Sequence, residues 1–138
     1  LHDYVQTLPE NPREKIVLHE EALCDKAQDL HFAATAGEDA KVVTDTRGTV
    51  VHGTAIDLLD CVPTYIKLDI EGAEKAALEG AVKTISRHAP KLAVCVYHKP
   101  ADLWELPLYI REIYPAGKMY LRSHGENGFE TVLYVLPS

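Results

Sequence analysis

YIKLDIEGAE, residues 65–74, compresses a strand, an acidic turn and a helix start into one short stretch. Tyr65, Ile66, Leu68 and Ile70 supply the aromatic and β-branched content of a buried strand, and Asp69 and Glu71 fall where that strand runs out. Gly72 marks the turn, and from Ala73 the residues change to helix formers. Both carboxylates are thereby placed at a strand's carboxyl end beside a helix amino terminus. In open α/β sheets, that edge holds the ligand.

Downstream the pattern completes a βαβ unit: strand Thr64–Asp69, helix Ala73–His88 and strand Leu92–Tyr97. Ala77, Leu78, Ala81, Val82 and Ile85 form an apolar helical stripe, with Lys75, Glu79 and Lys83 on the solvent side. Glu74 near the helix start and Arg87 and His88 near its end match the helix dipole, and Pro90 stops it. Asp102–Glu105 forms a helical turn, and Pro107 takes the first position of a further helix through Tyr114. Strands Lys118–Arg122 and Thr131–Leu136, joined by the polar loop Ser123–Glu130, make a terminal antiparallel hairpin.

Upstream, His2–Leu8 reads as the end of a helix and Ile16–Ala22 as a strand. Asp29–Ala34, Lys41–Thr44 and Thr49–Ala55 follow as strands, with turns at Gly37 and Thr46–Gly48, and Ile56–Asp60 as one helical turn. This middle third reads as an antiparallel insertion within an α/β chain.

The 138 residues, 46% of them hydrophobic, suit one domain. Acidic residues outnumber basic ones 21 to 14, giving a formal charge of -7, which disfavours nucleic acid and anionic membranes as partners. No apolar run reaches membrane-spanning length, and Leu1 onward lacks the pattern of a signal peptide. Cys24, Cys61 and Cys95 are odd in number and widely spaced, so they read as buried reduced thiols, which points to the cytoplasm. None of the seven histidines stands in a metal-ligand motif, so no metal site is expected.

Asp69 and Glu71 have the strongest claim to chemistry, since alternate positions on an extended segment project to one side. Paired carboxylates suit acid/base work or the gripping of a hydroxyl or ammonium group. The structural alternative is that Asp69 caps the helix and Glu71 favours its dipole. His98 follows the next strand and reaches the same sheet edge, where it can remove a proton from a hydroxyl or stand as a loop histidine. Asp25 suits an adenine amino group or a plain turn. His124 belongs to a solvated polar loop, and Lys67 is a strand partner for an acidic side chain.

At these residues the chain resembles the FkbM family of S-adenosylmethionine-dependent methyltransferases, whose characteristic stretch is matched by IKLDIEGAEKAALEGA. ALCDK at residues 22–26, with Cys24 in place of the usual serine, and TAIDLLD at 54–60 extend the likeness upstream. PKLAVCVYHKPADLWELPLYI and MYLRSHGENGFETVLYVLP extend it downstream. The resemblance implies a Rossmann-like class I methyltransferase fold, S-adenosylmethionine as cofactor, and O-methylation of a hydroxyl on a small molecule or sugar. It implies that Ala22 and Asp25 border the adenine, that Asp69 shapes the cofactor crevice, that Glu71 orients the acceptor or the sulfonium, and that His98 is the candidate base.

One departure is large. The glycine-rich loop that holds the cofactor's methionine portion in this class is missing: Gly37, Gly48 and Gly53 are the glycines before the motif, and none forms a G-x-G after an apolar strand. Strands one and two of the family sheet are missing with it. The expectation is that residues 1–138 are a partial methyltransferase domain running from strand three onward. The Ile16 and Ile66 strands then need missing amino-terminal strands, a partner chain, or each other to complete the sheet. Two other function classes stay open: a noncatalytic interaction module that has lost the cofactor loop, and a metal-assisted hydrolase using Asp69, Glu71 and His98.

Overall fold

Strand-forming runs and one apolar helical stripe organise this chain into two four-stranded sheets in a computed structural model that describes residues 1–32, 42–43 and 49–138. Two short helices, α1 (His2–Thr7) and α2 (Glu10–Arg13), open the chain. The first sheet contains β1 (Ala22–Leu23), β2 (Gln28–Phe32), β3 (Val42–Val43) and β4 (Thr49–Thr54) in the order β1-β4-β2-β3. Its β2·β4 and β2·β3 ladders are antiparallel, as the middle third predicts, whereas β1 joins β4 in parallel.

The predicted strand Ile16–Ala22 is displaced. Residues 16–20 have no regular structure, and a ladder begins only at Ala22, where β4 supplies a partner. Ile16 and Val17 are exposed, so their β-branched side chains gain nothing from extension without a neighbour. The ends predicted for the second and third strands, and the turns at Gly37 and residues 46–48, lie outside the described residues.

The second sheet carries the motif. It comprises β5 (Tyr65–Leu68), β6 (Lys91–Cys95), β7 (Lys118–Ser123) and β8 (Thr131–Leu136), ordered β5-β6-β8-β7. Strands β5 and β6 are parallel, while β8 runs antiparallel to both β6 and β7, which forms the expected terminal hairpin. Direct pairing of the upstream strand with the Ile66 strand does not occur among the described residues, since β1 pairs with β4 and β5 with β6.

Between β5 and β6 the predicted continuous helix is two: α3 (Glu74–Glu79) and α4 (Val82–His88). The break has a non-local cause in the 3-10 turn Ile56–Leu58. Asp57 N–H donates to the Gly80 carbonyl at 2.8 Å, while the Asp57 carboxylate accepts from Lys83 N–H at 3.0 Å and Thr84 N–H at 2.7 Å. One residue thus ends α3 and caps α4, satisfying groups that a continuous helix would pair internally. Burial pushes the Asp57 carboxyl up, but the bonds from Thr84 and Lys83 prevail and hold it below its ordinary value.

Helix α5 (Asp102–Ile113) corrects the expectation of two pieces, because Pro107 lies inside it. The donor that Pro107 lacks would have served Leu103, which sits on a half-exposed turn where water reaches the helix. Leu68, Leu92, Val94 and Val135 of the sheet pack with Leu78, Ile85, Leu106 and Ile110 of the three helices in one buried core. Each fully buried Leu or Ile contributes about 1.5–3 kcal/mol relative to exposure. On the opposite face, Ala93, Cys95 and Val132 form a smaller cluster with Tyr97 and Tyr134. Cys24 and Cys95 are buried thiols, but Cys61 is exposed, contrary to the expectation for all three.

Candidate functional site

The turn after β5 does not continue the strand's alternation. Glu71 adopts φ 54° and Gly72 φ 89°, two successive left-handed residues that reverse the chain before α3. At Gly72 the conformation suits glycine, and a Cβ would lie 2.9 Å from Lys99 Cε. The Lys99 ammonium donates to the Gly72 carbonyl, joining this turn to the segment after β6. Strain of this sort at a non-glycine residue is common where a side chain must be aimed. Here it aims Glu71.

His98 is the centre of the resulting cluster, its side chain only 8% exposed. Nε2 lies 3.6 Å from Asp69 Oδ1 and 3.8 Å from Glu71 Oε2. On the other side of the ring, Nδ1 is 2.8 Å from Glu74 Oε1. This is a close polar contact and not an aligned hydrogen bond, because neither ring nitrogen has a hydrogen-bond partner among the described residues. The Tyr97 ring packs against the imidazole, with centroids 4.3 Å apart.

The two motif carboxylates are held differently. Asp69 accepts from Lys67 Nζ at 2.8 Å and from the Tyr97 hydroxyl at 3.1 Å. The Lys67 ammonium foremost holds its carboxyl below the ordinary range; burial, next in size, opposes this, and smaller contributions from Cys95 and Tyr97 add to the lowering. Burial foremost, with Asp69 adding, pushes the Tyr97 hydroxyl up to about 12, so it remains a donor at neutral pH. Glu71 is more exposed and lines the cleft.

That cleft, about 750 Å³, connects the two sheets. Glu21–Asp25 and Gln28 form one wall, Ile70–Ala73 and Ala76 another, and His98 and Lys99 close its end. Ala22, Asp25, Glu71 and His98 therefore meet at one opening. Asp69 is not among the lining residues; its carboxylate turns to Lys67 and Tyr97 and approaches the cleft only through His98. Asp25 accepts from the Gln28 side-chain amide at 2.8 Å, which fixes its orientation at the wall. His124 stands apart, 2.9 Å from the Tyr134 hydroxyl. Among the described residues no group of three or more His, Cys, Asp or Glu side chains is arranged to hold a metal ion.

The family model of the Methyltransferase FkbM domain matches residues 30–127, most of the chain. The chain belongs to the FkbM methyltransferase family. Among solved structures it is similar to the crystal structure of Methyltransferase FkbM from Methylobacillus flagellatus KT, with a TM-score of 0.73 and 32% sequence identity. That similarity covers 97% of this chain and 31% of the other, so this FkbM-family chain spans less than a third of its relative's length. No curated protein matches the chain.

Three residues around His98 are not among the candidates the sequence offers. Glu74 was legible in principle, since stepping back from Ala77 and Leu78 by three and four residues places it on the buried stripe. A carboxylate on an apolar face asks for a partner. Tyr97 precedes His98 and carried no signal beyond strand alternation. Asp102, buried and accepting from Lys99 N–H at 3.1 Å, steadies the loop that presents His98. Burial foremost raises its carboxyl above the ordinary range, against the bond from Lys99.

Proposed function

We propose that this chain is the carboxyl-terminal part of a cytoplasmic, S-adenosylmethionine-dependent O-methyltransferase acting on a hydroxyl of a small molecule or sugar. The observation that carries the reading is the cleft in which Ala22–Asp25 and Ile70–Ala73 face each other with His98 at the end. Its volume falls within the range of about 300–1,000 Å³ usual for small-molecule sites. Its walls suit the cofactor: Ala22, Leu23, Leu30, Ile70 and Ala76 offer apolar surface for a nucleoside, and Glu21, Asp25 and Glu71 offer carboxylates near a cationic group. When bound, the cofactor supplies an electrophilic methyl group.

The chain's own residues then divide the work. Ala22 packs along the adenine face, and Asp25, held by Gln28, accepts from the exocyclic amino group. Glu71 orients the acceptor hydroxyl, and His98 removes its proton through Nε2, the nitrogen turned toward Asp69 and Glu71. Asp69 adds negative charge beside Nε2 that stabilises the ring once it is protonated. Holding the reacting groups in line supplies much of the rate.

Within the described residues β5 has one ladder neighbour, β6, and β1 has one, β4. Amino-terminal strands outside this chain, or a partner chain, complete the sheet at these edges in the Rossmann-like class I arrangement, which agrees with the chain's coverage of 31% of its relative. Turnover of a panel of hydroxylated small molecules and sugars with methyl-labelled cofactor and the full-length protein tests the reading. Labelled product from any of them supports it. Transfer to amines or thiols alone would exclude a hydroxyl acceptor.

A further inference from the structure

Glu74 is 1% exposed, a carboxylate at the first residue of α3 but turned into the protein. A glutamate that merely favoured the helix dipole would do so from solvent, at no desolvation cost. Burying an ionised carboxylate costs several kcal/mol unless a hydrogen-bonded or charged partner offsets it. Ile70 N–H donates to Glu74 Oε1 at 3.0 Å, and His98 Nδ1 stands in close contact with the same oxygen at 2.8 Å. Oε2 has no hydrogen-bond partner among the described residues. The Ile70 bond fixes the carboxylate to the backbone of the motif turn, so one side chain ties IEGAE to the histidine after the neighbouring strand.

We infer that Glu74 is a positioning residue that holds the His98 ring with its proton on Nδ1, leaving the Nε2 lone pair to face Asp69, Glu71 and the cleft. The inference rests on His98 being the base of the proposed methyl transfer. The geometry carries it in three steps. At 2.8 Å an Nδ1 lone pair and a carboxylate oxygen would repel each other, so this contact, although not an aligned hydrogen bond, favours the Nδ1–H tautomer. Nε2, with carboxylate oxygens at 3.6 and 3.8 Å, is buried and has no hydrogen-bond partner among the described residues, so its lone pair is not committed within them. Once Nε2 takes the acceptor's proton, the ring becomes an imidazolium next to a buried carboxylate, whose charge is worth more there than in water. The proton moves from the acceptor oxygen to Nε2, and the oxygen's electron pair would bond the methyl carbon as the carbon–sulfur bond breaks and its pair returns to sulfur. Asp102 lies on the same side and influences Glu74 and His98 through its charge, but its own carboxylate is used by Lys99 N–H.

The test is nitrogen-15 NMR of histidine-labelled full-length protein at alkaline pH, where two-bond couplings show which ring nitrogen carries the proton. The expected result is His98 protonated on Nδ1 in the wild type and shifted toward Nε2 in Glu74→Gln. Glutamine keeps the side-chain size and can still accept from Ile70 N–H. Turnover by the same variant is expected to fall about a hundred-fold with KM for the cofactor within about two-fold. A wild-type ring protonated on Nε2 overturns the inference without any variant, as does a tautomer unchanged by Glu74→Gln. A tautomer that switches while turnover stays at the wild-type level upholds Glu74 as the positioning residue and removes His98 as the base.

Discussion

Gly80 and Cys24 meet backbone to backbone: a Cβ on Gly80 would lie 2.2 Å from the Cys24 carbonyl oxygen and 3.0 Å from Ala55 Cβ. This contact docks the first sheet onto the end of α3 and thereby sets the two walls of the cleft. Because the obstruction is backbone, no rotamer change relieves it. Gly80→Ala is expected to destabilise the full-length protein by about 1–3 kcal/mol, the usual cost of overpacking, and to weaken cleft ligands. Chemical denaturation checks the first effect. Unchanged stability would mean that the two sheets are free to separate.

Asp57, which is not among the cleft-lining residues, supplies an acid-sensitive element. Its carboxyl is held below the reference value of 3.8, so its contribution to stability is full above that value and is lost as pH falls through the lower folded value. Asp57→Asn, which keeps one acceptor oxygen but no charge, is expected to cost about 0.5–2 kcal/mol at neutral pH. The gap between variant and wild type should narrow as pH drops below about 4. Unfolding curves across pH check this, and a gap that widens toward acid would contradict it.

The three cysteines separate by environment. Burial foremost, with Asp69 adding, pushes the Cys95 thiol up to about 12, and Cys24 is buried with its Sγ directed to the Lys26 carbonyl at 2.9 Å. Thiolate is the reactive form, so brief alkylation of the native protein at mildly alkaline pH should label Cys61 and spare the other two. Peptide mass spectrometry reads the result, with Cys95 as the decisive site.

His98→Gln in the full-length enzyme should lower turnover by about 10²–10⁴-fold while cofactor affinity changes little, because the ring closes one end of a cleft whose walls remain. Product analysis over long incubation provides the measurement. A variant with wild-type turnover would pass the role of base to another group.

The βαβ unit around Tyr65–Glu74 was legible because its signals are local: period-two strands, a helical stripe, and proline stops at Pro63 and Pro90. The break at Gly80 was not, since it is made by Asp57 and Cys24, residues remote in sequence whose approach no window contains. Ile16–Leu18 shows the opposite failure, strand-like residues with no ladder to join. The site was half legible. Asp69, Glu71 and His98 do converge, but Glu71 arrives through a left-handed turn and not through strand alternation. Glu74 could be found only by asking why a carboxylate interrupts an apolar stripe.

Isothermal titration of the full-length protein with S-adenosylhomocysteine tests the central claim, that the cleft between Ala22–Asp25 and Ile70–Ala73 is a cofactor site. The account predicts one-to-one binding, weakened about ten-fold by Asp25→Ala through loss of one hydrogen bond. No binding heat, or binding of equal strength in the variant, would contradict it.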